Sequence, residues 1–277
     1  MKRTVLVTGA TSGIGRTACA AFARRGWSVA ATGRDLDRLP RGEDIAAWRL
    51  DVTDEGGIAP VIDAVVATFG RIDALVNNAG FGIFGPLEGA TAAQVDAQFR
   101  TNVSGAIAMI RHVLPVMRRQ GGGTIVNISS IGGRFAAPLA SLYHATKFAI
   151  EGLSDSLRHE LAPFAVRVKL VEPGHFKTGF VANSLVTPHP DYADALQNYM
   201  EWVRLEDERA PGPEPVAAAI VRAAEDRSAR LRYPVKGAAT LALARVLPDA
   251  MWRSLFAAGM RRGPRKRAAS PAAGGRP

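Results

Sequence analysis

The 277-residue chain contains one cysteine, Cys19. That excludes a disulfide framework and any zinc site built on cysteine. Its histidines, at 112, 144, 159, 175 and 189, fall at no metal-ligating spacing. No apolar run reaches the ~20 residues that cross a bilayer, because charges interrupt each candidate. Met1-Lys2-Arg3 leads straight into Val5-Leu6-Val7, so no secretory leader is expected. With 47% apolar and 22% charged residues, the composition supports a sizeable core rather than disorder. The expectation is a soluble, cytoplasmic globular protein.

Carboxylates are missing altogether from residues 261–277, which carry Arg261, Arg262, Arg265, Lys266, Arg267 and Arg276. This stretch accounts for most of the net charge of +10, leaving 29 cations against 25 carboxylates, or +4, on residues 1–260. A nucleic-acid partner is therefore not expected. The rest of the tail is Gly, Pro, Ala and Ser, a composition that cannot bury a core. The organisation expected is one domain over 1–260 followed by a basic, disordered tail over 261–277.

What is present is alternation. Short apolar runs at Thr4–Thr8, Ser28–Thr32, Ala46–Leu50, Ala74–Val76, Thr124–Ser129 and Val166–Val171 predict strands, with a weaker one at Leu231–Tyr233. Several are continuous rather than alternating, as strands buried on both faces of a parallel sheet are. Helical periodicity covers 13–25, 57–69, 91–119 and 140–162, the third opening on the capping box Thr91-Ala-Ala-Gln94. Repeated βα units predict a doubly wound, Rossmann-like α/β sheet of about seven strands with helices on both faces. Residues 175–213 break the pattern and are rich in Phe176, Phe180, Leu185, Tyr192, Tyr199, Met200 and Trp202. Residues 237–260 read as helical and apolar, and Cys19 as a small core residue.

The first strand ends in Thr8-Gly9-Ala10-Thr11-Ser12-Gly13-Ile14-Gly15 and a helix follows. Glycines there permit a tight turn and close approach to a pyrophosphate seated at the helix N-terminus. Sites that prefer NAD place a carboxylate about 20 residues further on. Here Gly33-Arg34 occupies that point, and a guanidinium suits a 2′-phosphate, so NADP(H) is favoured over NAD(H). Tyr143 and Lys147 lie four apart on a predicted helix and share one face. An ammonium beside a phenol lowers its pKa and prepares it to exchange a proton. Ser130, just past the fifth predicted strand, can hydrogen-bond a substrate oxygen at the C-terminal edge of the sheet, with Ser129 as competitor.

These motifs resemble the short-chain dehydrogenase/reductase family, in its single-domain, hydroxysteroid- and retinol-dehydrogenase-like branch. The resemblance is strong over about residues 3–180 and rests on Thr8-Gly-x-x-x-Gly-x-Gly15, Asn77-Asn-Ala-Gly80, Tyr143-x-x-x-Lys147 and Pro173-Gly174. It implies an oxidoreductase interconverting a carbonyl and an alcohol. Asn102, Ser130, Tyr143 and Lys147 would be catalytic, with Asn102 holding a water that leads protons from the lysine to solvent. Cofactor contacts would come from Gly9, Thr11, Ser12, Gly13, Ile14, Gly15, Arg34, Asp51, Val52, Asn78, Ala79, Gly80, Tyr143, Lys147, Pro173, Gly174 and Thr178. It further implies a homodimer or homotetramer, a small-molecule carbonyl or alcohol substrate, and no metal. Residues 175–213 would form a lid whose apolar groups, with Phe81, Ile83 and Phe84, favour a lipophilic substrate. The alternatives are a catalytically silent nucleotide-binding regulator and, within enzymes, an epimerase or dehydratase. The second would favour a Thr-Gly-x-x-Gly-x-x-Gly loop and a longer chain.

Overall fold

A computed structural model describes residues 2–248 together with 250, 251 and 254. The tail at 261–277, and most of the predicted helical stretch beyond 248, lie outside the described residues. Seven strands form one parallel sheet: β1 (Thr4–Val7), β2 (Ser28–Gly33), β3 (Ile45–Arg49), β4 (Ala74–Asn77), β6 (Gly123–Ile128), β7 (Val166–Pro173) and β9 (Arg232–Val235). A separate two-stranded parallel ribbon pairs β5 (Ile83–Phe84) with β8 (Leu185–Val186). The large sheet runs β3-β2-β1-β4-β6-β7-β9. Chain order therefore reverses between β1 and β4, the switch point at which a doubly wound sheet opens a crevice.

The continuous apolar strands have a direct physical reading. Val5 and Val7 point into one core layer and Leu6 into the other, and all three are fully buried. The same division separates Ala74 and Val76 from Leu75, and Val126 from Ile125. Side chains alternate at period two, yet both faces are covered, so apolar residues dominate on both. One layer is closed by α1 (Gly13–Arg24) and α7 (Glu214–Glu225), through residues such as Phe22 and Ile220. The other is closed by α2 (Glu55–Phe69), α4 (Gly105–Arg119) and α5 (Ser141–Glu160), through Ile62, Met109 and Ile150.

Two predicted boundaries are corrected. The stretch 91–119 is not one helix: α3 (Ala92–Phe99) passes into a π-helical turn over Arg100–Ser104 before α4 begins. Its start is as predicted, with Gln94 N–H donating to Thr91 Oγ1 and Thr91 N–H to Gln94 Oε1. The helix α7 has no counterpart among the predicted helices. Val216, Ala217, Ala219, Ile220, Val221, Ala223 and Ala224 are all buried, so the apolar stripe is too wide to read as a period of 3.6. The irregular stretch 175–213 contains β8 and a 17-residue helix, α6 (Ala193–Arg209). A short helix α8 (Ala238–Val246) follows β9. Among the described residues no helix is long and apolar enough to cross a membrane.

Candidate active site

The glycine loop is shaped by backbone proximity. Gly9 has φ +66°, a left-handed conformation that disfavours any side chain. A Cβ on Gly15 would lie 2.4 Å from the Gly9 carbonyl oxygen, so α1 can approach the β1 turn only with glycine there. Ser12 occupies the N-cap of α1 but makes no capping hydrogen bond, and the first turn carries no carboxylate. The first amides of α1, at Gly13, Ile14 and Gly15, thus receive no side-chain cap. Thr11, Ser12, Gly13 and Ile14 are all partly accessible. Uncapped amides at the positive end of a helix are a ready anion site, which is what a dinucleotide's pyrophosphate needs. Thr178 stands against this loop, its carbonyl oxygen 2.7 Å from where a Gly13 Cβ would be.

Asn78 holds the loop from the β4 side. Its Nδ2 donates to the carbonyls of Thr8 at 2.9 Å and Gly9 at 3.0 Å, while Thr8 Oγ1 accepts from the N–H groups of Asn78 and Ala79. At the end of β2, Arg34 is exposed, with no hydrogen bond or ion pair among the described residues. Asp35, which would oppose a 2′-phosphate, is turned into its own loop, where Oδ1 accepts from Asp37 N–H. Asp51 is occupied in the same way, accepting from Thr53 N–H and Oγ1 at 2.9 and 2.8 Å. Val52 is buried against Gly105 at the start of α4.

Ser130 lies just beyond β6 and caps a single 3₁₀ turn over Ile131–Gly133. Its Oγ accepts from Gly132 N–H at 3.0 Å and reaches the Pro173 carbonyl at 3.4 Å. The phenol of Tyr143, from the first turn of α5, stands near enough to this same hydroxyl to feel it. Ser129 instead faces Glu151, so the two serines are separated by where the strand end directs them. Lys147 Nζ lies 5.8 Å from the centre of the Tyr143 ring and donates to the Ile128 carbonyl at 2.9 Å. Burial pushes the lysine down to about 8. Burial also pushes Tyr143 up, partly offset by the Ser130 hydroxyl. In the chain alone burial outweighs the lowering effect expected of Lys147, whose ammonium is turned toward the Ile128 carbonyl.

Asn102 sits in the π-helical turn and is buried. Its Nδ2 donates to the Phe81 carbonyl at 2.8 Å and to Thr146 Oγ1 at 3.1 Å, and its Oδ1 accepts from Phe81 N–H at 3.0 Å. Gly80 packs directly against this amide. Gly174 N–H donates to the Val235 carbonyl, which fixes the Pro173-Gly174 turn beside Ser130.

Over this group lies an aromatic cluster. Phe84 is 6.0 Å from Tyr143 and 6.0 Å from Tyr199, and Phe180 is 5.5 Å from Tyr143. Trp202, half exposed, stacks at 6.0 Å on Tyr199. Of the apolar residues predicted to face the cleft, Phe84 and Phe180 converge on Tyr143. Tyr192 does not: it packs on His189, with Glu88 as its charged neighbour. Ile83 is buried. The base of the predicted lid is zipped down by β5–β8 pairing and by Thr187, whose N–H donates to the Phe84 carbonyl.

A profile described as short chain dehydrogenase matches residues 3–187. The chain belongs to the short-chain dehydrogenase family. It is 38% identical over 225 residues to a 3-ketodihydrosphingosine reductase of Bacteroides thetaiotaomicron, covering 79% of this chain and 82% of that protein. It is 37% identical over 190 residues to retinol dehydrogenase 8 of Bos taurus, covering 64% and 60%. A short-chain dehydrogenase from Streptomyces avermitilis superposes with a TM-score of 0.79 at 34% identity, covering 93% of this chain and 96% of that one. Among solved relatives, a 3-ketoacyl-(acyl-carrier-protein) reductase of Brucella melitensis is complexed with NADH (25% identity, 84% and 96% covered, TM-score 0.72). ElxO has NADP bound (27% identity, 87% and 100% covered, TM-score 0.71). Family membership makes the chain an oxidoreductase acting on CH–OH or carbonyl groups with a nicotinamide cofactor.

Within this short-chain dehydrogenase site, several residues escaped the sequence reading. Arg16 follows the last loop glycine and donates to the Arg38 carbonyl at 2.8 Å, which brings two more cations to the Arg34 side. Thr146 links Asn102 to the Tyr143 carbonyl. His144 fastens the Ser130 loop: its ring nitrogens meet the Gly132 carbonyl at 2.7 Å and Ala137 N–H at 3.0 Å. Arg16 carried a signal in its place beside the loop. The other two are polar residues inside a helix, and only tertiary contact gives them a role.

Proposed function

We propose that the chain is an NADP(H)-dependent reductase and dehydrogenase of lipophilic carbonyls and alcohols, with Tyr143 as its proton donor and acceptor. The observation that carries this reading is the convergence of the Tyr143 phenol, the Ser130 hydroxyl and the Lys147 ammonium at the C-terminal edge of β6. When bound, the cofactor supplies or receives the hydride. Uncapped amides at Gly13, Ile14 and Gly15 would hold its pyrophosphate, with Thr11, Ser12, Gly9 and Thr178 around it. Arg34, with Arg16 and Arg38 nearby, would hold the 2′-phosphate. Asp51, Val52, Asn78, Ala79 and Gly80 would line the adenosine side, and Pro173 and Gly174 the nicotinamide side.

Ser130 would orient and polarise the substrate oxygen while the Tyr143 hydroxyl delivers its proton. Lys147 would bind the cofactor ribose and stabilise the phenolate that remains. Asn102 would fix the Phe81 backbone and, through a water, return protons to the lysine. Two findings favour a lipophilic substrate. The oxygen site is ringed by Phe84, Phe180 and Tyr199. Relatives named for retinol and for a long-chain sphingoid base also stand among the similar proteins.

NADPH oxidation across a series of aliphatic ketones tests the reading. Each buried methylene contributes about 0.8 kcal/mol, so kcat/KM rises about fourfold per added carbon until the cleft is filled. A flat response, or a preference for charged substrates, overturns the lipophilic assignment. NADPH binding without oxidation by any ketone or aldehyde favours the silent nucleotide-binding regulator.

A further inference from the structure

One turn beyond Lys147 on α5 stands Glu151, only 5% exposed. Tyr143, Lys147 and Glu151 thus form one stripe at four-residue intervals. Residues of four other elements gather around Glu151 and its neighbour Glu172. The end of β6 brings Ser129, and β7 brings Glu172, which is fully buried. From β9, Arg232 Nε donates to Glu151 Oε2 at 3.0 Å and lies 3.3 Å from Glu172 Oε1. From the 3₁₀ turn after Ser130, Arg134 Nη1 donates to Glu172 Oε1 at 2.9 Å. On α5 itself, Asp155 pairs with the far side of Arg232. Gly133 closes the layer, since a Cβ there would lie 2.7 Å from Ser129 Oγ and 3.0 Å from Glu151 Cγ.

The cluster sets three carboxylates against two guanidiniums and the Lys147 ammonium, so with all six groups ionised its charges balance. Removing water from a charge is costly unless a partner compensates. Lys147 has one neutral acceptor, the Ile128 carbonyl, and Glu151 is the carboxylate next to it along the helix. Resting on the role given above to Lys147, we propose that Glu151 is a positioning residue: its carboxylate holds the lysine in its ammonium form at alkaline pH and so decides where turnover falls off.

The two groups titrate in the order this requires. Burial pushes Glu151 up to about 7, pulled back by the Ser129 hydroxyl, raised by the like charge of Glu172 and lowered again by Arg232. Burial pushes Lys147 down to about 8, and the Glu151 charge opposes that fall. Over the range in which the ammonium loses its proton, the carboxylate is mostly charged. Below about 7 Glu151 is neutral and has no hold on the lysine.

The test is the pH profile of kcat/KM for wild type and Glu151→Gln, which keeps the shape and removes the charge. At about pH 6 the two agree within about twofold. Above about pH 7.5 the alkaline limb of the variant lies at least one unit lower, about a tenfold loss at pH 8.5, as expected when an opposite charge is removed. Glu151→Asp restores the limb. A loss of equal size at every pH marks a merely structural role and overturns the proposal, as does an unchanged profile. A second measurement needs no substrate and no Glu151 variant: the ¹⁵N-lysine NMR titration of wild type, with Lys147 assigned by comparison with Lys147→Arg. The Lys147 resonance shows an inflection near pH 7 ahead of its own midpoint, and a single-step titration overturns the proposal even if no carbonyl is ever found to be reduced.

Discussion

Tyr143 is held where its neutral form is favoured, because burial raises its pKa and only the Ser130 hydroxyl pulls the other way. A buried phenol kept protonated is a donor waiting for a developing alkoxide. Replacing Tyr143 by Phe removes the proton and keeps the ring that packs on Phe84 and Phe180. Turnover is expected to fall by about 10²–10⁴-fold with NADPH binding nearly unchanged. Steady-state kinetics beside a fluorescence titration of NADPH check this, and retention of more than about a tenth of kcat removes Tyr143 from the mechanism. The 2′-phosphate contact is also a residue-scale matter. Arg34 is exposed and has no ionic partner among the described residues, which leaves its charge available there. The double change Gly33→Asp with Arg34→Leu should weaken NADPH by about 10- to 150-fold, the equivalent of 1.5–3 kcal/mol for charge-assisted hydrogen bonds. Preference should then turn to NADH. Equal use of NADH and NADPH by the wild type contradicts the role given to Arg34.

Among the elements, the π-helical turn over Arg100–Ser104 does what an ordinary helix cannot. The extra residue in the turn directs Asn102 inward, onto the Phe81 backbone and Thr146. Two helices and the loop after β4 are joined there by one side-chain amide. Asn102→Ala leaves the Phe81 N–H without its acceptor, whereas the Phe81 carbonyl keeps Gln98 Nε2. A buried amide left unpaired costs about 1–3 kcal/mol. Urea unfolding is expected to show a free energy of unfolding lower by that amount, seen as a lower midpoint with an unchanged slope. An unaltered midpoint indicates that water replaces the Asn102 oxygen at no cost.

For the whole molecule, acid is the weak direction. Burial lowers the His144 pKa below its ordinary 6.5, and the ring serves as acceptor for Ala137 N–H. Asp155, Glu225 and Asp226 are also held low by partners: Arg232 for Asp155, Arg25 and Trp27 for Glu225 against the opposing effect of burial, and Tyr233 with Ser228 for Asp226. A group whose pKa is depressed by folding takes its proton more readily in the unfolded chain, so protonation favours unfolding. The His144 contribution is complete above about 6.5 and is lost as pH falls through its lower folded value. The carboxylate contributions follow below about 4. Thermal scans should show Tm declining as the carboxylates are protonated below about pH 4. Glu151 works in the opposite sense between its ordinary 4.5 and about 7, because the folded chain holds that proton more tightly. Between about pH 4.5 and 6.5 the His144 loss is set against the Glu151 gain, and His144→Gln should leave the gain alone, so that Tm rises on acidification over that window more than in wild type.

Much of this molecule is a matter of local pattern, and local pattern is what a sequence displays. Continuous apolar strands, the Thr91-Gln94 capping box, the glycines of the β1 turn and the Tyr143-Lys147 interval each depend on residues a few positions apart. They were legible because backbone sterics and helix periodicity act over that range. Tertiary structure decided the rest. The helix α7 hides its period because its buried stripe is wide and its exposed face includes Ala218, and the π-helical turn splits a stretch whose periodicity reads as one helix. Ser129 and Ser130 are indistinguishable until β6 is placed against β7 and α5. Glu151, Glu172, Arg134 and Arg232 come from four separate elements, and nothing in their spacing announces a shared cluster. Whether a charge is buried, and against what, depends on contacts between distant parts of the chain, and the sheet and its helices create those contacts only when they close.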